Sequence, residues 1–148
     1  MHTGILTKVI GAMLVPLMAL AVAAEPTQEP TLKEIMQGLR DDVFIIADGM
    51  FIDDMDRVAQ GAAGIAHHPS IPGTQVQLVA AELGPEMPAF KQLDIRVHDL
   101  SLTIISAAEA QDRERINADF QQLINGCLAC HTSYKERVAK VLEEPDHR

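Results

Sequence analysis

The chain has 148 residues, 47% of them hydrophobic and 22% charged, an ordinary balance for one globular domain. Its formal net charge of −9 excludes the basic footprint of a nucleic-acid binder and the polybasic patch of a membrane-surface protein. Two cysteines are too few for a disulfide scaffold, and 3% aromatic residues with no Trp are a poor diet for an all-β core.

The N-terminus reads as a targeting segment. Lys8 precedes an apolar run from Val9 to Ala23, interrupted only by Gly11 and Pro16. The run closes on Ala21-Val22-Ala23-Ala24 and turns polar at Glu25-Pro26. This is the layout of a cleaved secretory signal peptide, residues 1–24, with Ala23 as the neighbouring cleavage choice. Roughly 15 apolar residues fall short of the ~20 that a membrane span needs. The domain then occupies residues 25–148, and its expected compartment is an exported one, the periplasm.

Helical spacing dominates the rest of the chain. Thr31-Leu32-Lys33-Glu34 is a capping box, with the Thr side chain and the Glu three positions on serving each other's backbone amides. Ile35, Met36, Leu39, Val43, Ile46 and Met50 then recur on one face, and Gly49 offers an end signal. Asp53 or Asp54 caps a second helix with Met55, Val58, Ala59, Ala62, Ile65 and Ala66 inward, stopped by Pro69 beyond His67-His68. A Pro- and Gly-rich loop is expected from Pro69 to Pro88, holding a short helix over 74–83 with Thr74 and Gln77 as a second capping box. A long helix is predicted from about Ala89 to Ala110, with Phe90, Leu93, Val97, Leu100, Ile104 and Ala108 on one face. Asp112 opens the last helix, which carries Ile116, Phe120, Leu123, Ile124, Cys127, Tyr134, Val138 and Val141 and ends at Pro145. Four amphipathic helices with mostly short links imply an all-α, antiparallel four-helix bundle, in which cofactor sites form between facing helices.

The sharpest chemical signal is Cys127-Leu128-Ala129-Cys130-His131, which contains both cysteines of the chain. C-x-x-C-H is the attachment signature of c-type haem. Two thiols add across the haem vinyl groups, and the following His reaches the iron. On a helix, positions i and i+3 share a face, so both thioethers meet one porphyrin edge with the imidazole beside them. A simple disulfide is the bland alternative. A thioredoxin-like dithiol lacks its surrounding βαβ pattern.

With that motif in the last helix of a bundle of this size, the chain resembles the class II c-type cytochromes, the cytochrome c prime superfamily, and most of all its six-coordinate, Met-ligated branch. The resemblance covers essentially the whole mature chain. It includes Ile35-Met36-Gln37-Gly38-Leu39, where the family places its distal residue, the stretch Gly84 to Phe90 with Lys91, and Val97-His98-Asp99. Tyr134-Lys135 stands where family members show an aromatic followed by Arg or Lys, here Lys. The resemblance implies one covalent haem c on Cys127 and Cys130, with His131 and Met36 as the iron ligands. A thioether is a soft, neutral ligand that suits haem iron. The bland reading of Met36 is a core filler. Met50, Met55 and Met87 are expected in core or surface roles.

The remaining candidates are weaker. His67-His68-Pro69 either ends a helix, where imidazoles suit the dipole, or holds a metal ion. His98 is expected to pair with a nearby acid or carbonyl, with distal ligation as its alternative, and His147 lies in a polar tail. Among Arg40, Lys135 and Arg137, Lys135 is the preferred partner for a haem propionate, one turn beyond His131. The acid pairs Asp41-Asp42, Asp53-Asp54 and Glu143-Glu144 read as solvent-facing. No nucleophile–base pair or phosphate loop is recognisable. The resemblance therefore implies a non-enzymatic periplasmic carrier of single electrons, with redox partner proteins and a homodimer among its associations. If Met36 only packs, a five-coordinate protein binding nitric oxide or carbon monoxide is implied instead.

Overall fold

The computed structural model describes residues 29–143. The signal peptide, the stop at Pro145 and His147 lie outside them. The described residues form five α-helices: α1 Leu32–Ile52, α2 Met55–Ala66, α3 Gly73–Leu83, α4 Met87–Glu109 and α5 Arg113–Glu143. No strand occurs among them, and none of the helices is long and apolar enough to cross a membrane.

Helix α1 starts as its sequence dictates. The Thr31 side chain accepts from the Glu34 amide, while the Glu34 carboxylate accepts from the Thr31 amide at 2.7 Å. Its end differs from expectation. Gly49 lies inside the helix, and α1 runs on to Ile52, where Asp53 adopts a left-handed conformation with φ 62°. Gly49 has another role. A Cβ there would come within 2.8 Å of the Val58 amide nitrogen, so the missing side chain lets the first turn of α2 close on α1. Asp54 then caps α2, its side chain accepting from the Arg57 amide.

The expected capping box at Thr74 and Gln77 does not form. Helix α3 opens at Gly73, behind Pro72, with no side-chain cap, which leaves Thr74 already within its first turn. Gln75 instead accepts from the Leu32 amide at 2.7 Å, tying the starts of α3 and α1 together. The segment expected as loop up to Pro88 is largely helical. A 3₁₀ turn over Gly84–Glu86 leads straight into α4, with Pro85 and Pro88 in opening positions where a missing N–H costs nothing.

Helices α1, α2, α4 and α5 pack in sequence: α1 on α2, α2 on α4, and α4 on α5, with α3 lying against α5. Two apolar clusters result. The larger joins Ile46, Met55, Val58, Ala62, Ile65, Ile104, Ile116 and Leu123. The smaller joins Leu32, Val79, Leu83, Tyr134 and Val138, and the Phe90 and Tyr134 rings meet edge to face at 5.5 Å beside it. The expected stripe on α4 divides between them: Val97, Leu100, Ile104 and Ala108 serve the first, Phe90 and Leu93 the second. Met50 and Met55 belong to the larger cluster, and Met87, now the first residue of α4, packs on the smaller one.

Exposed ion pairs tie the connections. Arg113 bonds Asp53 through both Nε and Nη2, linking the α1–α2 turn to the start of α5. Arg137 reaches Glu86 at 2.8 Å and Glu82 at 3.2 Å, holding α5 to the end of α3.

Candidate functional site

Cys127, Cys130 and His131 lie within the 31-residue helix α5, far from either end. The sequence here suits an uninterrupted helix, because Ala, Leu and the polar residues around the motif have fair helix propensity. Gly126, just before the motif, is buried. A Cβ on it would sit 3.0 Å from Val97 Cγ2, so α4 crosses α5 closely at this point.

The two thiols are one turn apart and half-buried, and both are free. Cys127 packs on the larger apolar cluster and Cys130 on the smaller, so the motif straddles the junction between the two. Burial raises the pKa of the Cys127 thiol. Burial also raises that of Cys130, helped by the negative charge of Asp94 and by Cys127. Both therefore stand as neutral S–H groups at neutral pH. That is unlike the depressed thiols of redox-active dithiols, which sit at helix N-termini or beside cations. Leu128, between them, is 56% exposed, and His131 is exposed.

Met36 occupies a different position from the rest of its expected stripe. Ile35 and Ile46 are buried, and Leu39, Val43 and Met50 pack on the larger cluster, but Met36 is 37% exposed. It lies one turn beyond Leu32, on the same side of α1. Leu32 shares the smaller cluster with Tyr134 and Val138 of α5. The larger cluster also joins α1 to α5, through Ile46 with Ile116 and Leu123, although the backbones of α1 and α5 approach less closely than those of α1 and α2 or of α4 and α5. Leu32 and Tyr134 thus bring α1 and α5 together one turn from Met36 on the first and from Cys130 and His131 on the second.

This arrangement fits a flat apolar group bound covalently to α5. Two thiols share a face, both pack on apolar side chains, and an imidazole follows them. Two clefts elsewhere do not involve these residues. One, of about 400 Å³, lies between α4 and α5 around Arg96, Arg115 and Asp119. The other, of about 250 Å³, lies between α1 and α2.

Among the cations, Arg40 pairs with Asp41 at 2.7 Å and Arg137 is engaged by Glu82 and Glu86. Lys135 is exposed, one turn past His131. His98 Nδ1 stands 3.4 Å from the Asp99 carboxylate.

Comparison with protein-family models, with curated proteins and with solved structures returns no match.

Two features of the structure have little or no signature in the sequence. Asp119, which is 4% exposed, forms an ion pair with Arg115 at 2.5 Å inside the larger cleft. The i, i+4 spacing of that pair is a weak signal. Asp42, expected to face solvent, is half-buried because α2 presents Gly64 to it; a Cβ on Gly64 would fall on the Asp42 carboxylate. The proximity of α2 at that point is a tertiary fact with no local signature.

Proposed function

We propose that the chain is an exported c-type cytochrome that carries single electrons in the periplasm, and is not an enzyme. In this reading its helices make an antiparallel four-helix bundle. Cys127 and Cys130 would hold haem c covalently, and His131 and Met36 would bind its iron. When bound, the haem supplies reversible one-electron chemistry. The observation that carries the reading is the C-x-x-C-H motif, set on one helix with both thiols half-buried between two apolar clusters.

The chain's own residues then have separable tasks. Cys127 and Cys130, one turn apart on α5, would hold the group at two points. The apolar clusters on which they pack, which include Phe120 and Ile124 in one and Phe90 and Leu93 in the other, would exclude water. Low polarity around the iron disfavours its more highly charged oxidised state and raises the potential. Met36, on the Leu32 side of α1, would supply the second protein ligand. A neutral thioether favours the reduced iron further. Lys135, one turn beyond His131, is suited to a propionate. The acidic surface selects redox partners with basic patches, meeting through salt-screened contacts.

One observation favours a second reading. Met36 is partly exposed and not gripped by the core. If it does not ligate, the iron is five-coordinate and the protein binds nitric oxide or carbon monoxide. A reduced pyridine haemochrome spectrum of unfolded protein, produced with c-type maturation machinery, tests the attachment. The expected spectrum is that of haem with two saturated thioether links, and haem that extracts into acid–acetone refutes it. Spin state in the native oxidised protein then separates carrier from gas binder.

A further inference from the structure

His67 and His68 close the C-terminal end of α2, with His67 as the residue immediately after the helix. His67 Nδ1 lies 2.9 Å from the Ala63 carbonyl oxygen, and His68 Nδ1 lies 2.8 Å from that of Pro69. A carbonyl oxygen only accepts, so each Nδ1 carries the hydrogen and donates it. In the neutral ring the lone pair is then on Nε2, for both residues. Metal-binding histidines are oriented by this same arrangement: one ring nitrogen anchored to a carbonyl, the other directed at the ion.

Both residues line the 250 Å³ cleft between α1 and α2, together with Glu34 and Asp42. No Lys or Arg lines it. The carbonyls at the end of α2 add the negative pole of its dipole. The cleft therefore combines two imidazoles, each anchored through Nδ1, with two acidic residues and a helix C-terminus that favour a cation.

We propose that His67 and His68 bind one late first-row divalent cation, zinc(II) or copper(II), through their Nε2 atoms. Imidazole nitrogen selects these ions over magnesium and calcium, which prefer oxygen cages. No set of three His, Cys, Asp or Glu side chains among the described residues is arranged around one ion. The site is accordingly an open, two-imidazole one. Solvent fills its other positions, and Asp42 and Glu34 act through their charge. It is separate from the C-x-x-C-H face and does not depend on the reading given to that face.

Calorimetric titration of the mature chain, with any free thiol alkylated, tests the site with ZnCl₂, CuCl₂ and MgCl₂. One saturable equivalent is expected for zinc and for copper, and none for magnesium. The copper complex should show two nitrogen couplings by electron paramagnetic resonance. His68→Ala should weaken zinc binding at least about tenfold. His67→Ala removes the bond to Ala63 as well, so His67→Asn, which retains a donor, is measured beside it and should weaken binding equally. Asp42→Asn should weaken binding less than either. Binding that survives the double substitution at His67 and His68, a single nitrogen coupling, or no saturation by zinc would each overturn the proposal.

Discussion

Replacing Gly61 and Gly38 by Ala should change stability in opposite directions, although both lie inside helices. Ala in a helix interior gains about 1 kcal/mol over Gly, because less backbone entropy is lost. At Gly38 nothing lies within 4 Å of the added methyl, so the gain stands alone. At Gly61 the methyl would lie 2.7 Å from the Asp42 carbonyl oxygen, 2.8 Å from the Ile46 nitrogen and 2.8 Å from Ile46 Cγ1. Two of these three neighbours are backbone, so no rotamer change relieves the clash and α1 must move as a body. Overpacking of this kind costs roughly 1–3 kcal/mol, and the rigidity of the neighbours points to the upper end. Subtracting the propensity gain leaves Gly61→Ala less stable by about 2 kcal/mol. For a domain of this size that lowers the melting temperature by about 8 °C. Urea unfolding of both variants against the parent, at constant m-value, reads the difference directly. A Gly61→Ala protein as stable as the parent would show that α1 and α2 are not in the close contact described.

Three further outcomes rest on the same packing. Leu123 is fully buried in the larger cluster, one turn before Cys127, and Leu123→Ala should cost about 2–5 kcal/mol in urea unfolding. Asp54→Ala removes the side chain that caps α2, and should cost about 1 kcal/mol by the same assay. Hydrogen bonding from Arg113 holds the Asp53 carboxyl below its ordinary range. A depressed carboxyl adds stability above the ordinary Asp range and loses it as pH falls through the depressed value. Arg113→Ala should therefore return the NMR titration of Asp53 upward and leave stability at neutral pH less dependent on this pair; an unshifted titration would show that the pair does not persist in solution.

The all-helical class was legible because it rests on local signals repeated along the chain. The Thr31–Glu34 box, the Asp54 cap and the stripe on α4 all act within a few residues, and each reappears in the fold. The errors came where a residue had two physical uses. Gly49 reads as a helix end but serves a close crossing of α2. Pro85 and Pro88 read as loop but open helical turns. Thr74 reads as a cap, yet the helix begins one residue before it. Asp42 reads as a solvated acid until Gly64 of α2 is brought against it. Within the candidate site, the spacing of Cys127, Cys130 and His131 was local and visible. The meeting of Leu32 of α1 and Tyr134 of α5 in one cluster was not, since it depends on which helices pair.

Met36 is the residue whose substitution discriminates most. Ile35, Leu39 and Ile46 are accounted for by burial or by the larger cluster, while Met36, on the Leu32 side, is not. Either Met36 is a surface apolar residue of no consequence, or its sulfur has a partner. Met36→Leu separates the two, because it preserves volume and apolar character and removes only the sulfur. Such exchanges usually cost under about 1.5 kcal/mol even in a core, and this position is already partly exposed. Thermal unfolding should thus change little. If Met36 ligates iron as proposed, the same substitution should convert a low-spin spectrum to a high-spin one, lower the reduction potential and open the reduced protein to rapid carbon monoxide binding. A low-spin parent whose spectrum is unaltered by Met36→Leu would exclude Met36 as the ligand. A parent that is high-spin before any substitution, and takes up carbon monoxide at once, would replace electron transfer by gas binding as the function of the same covalent haem.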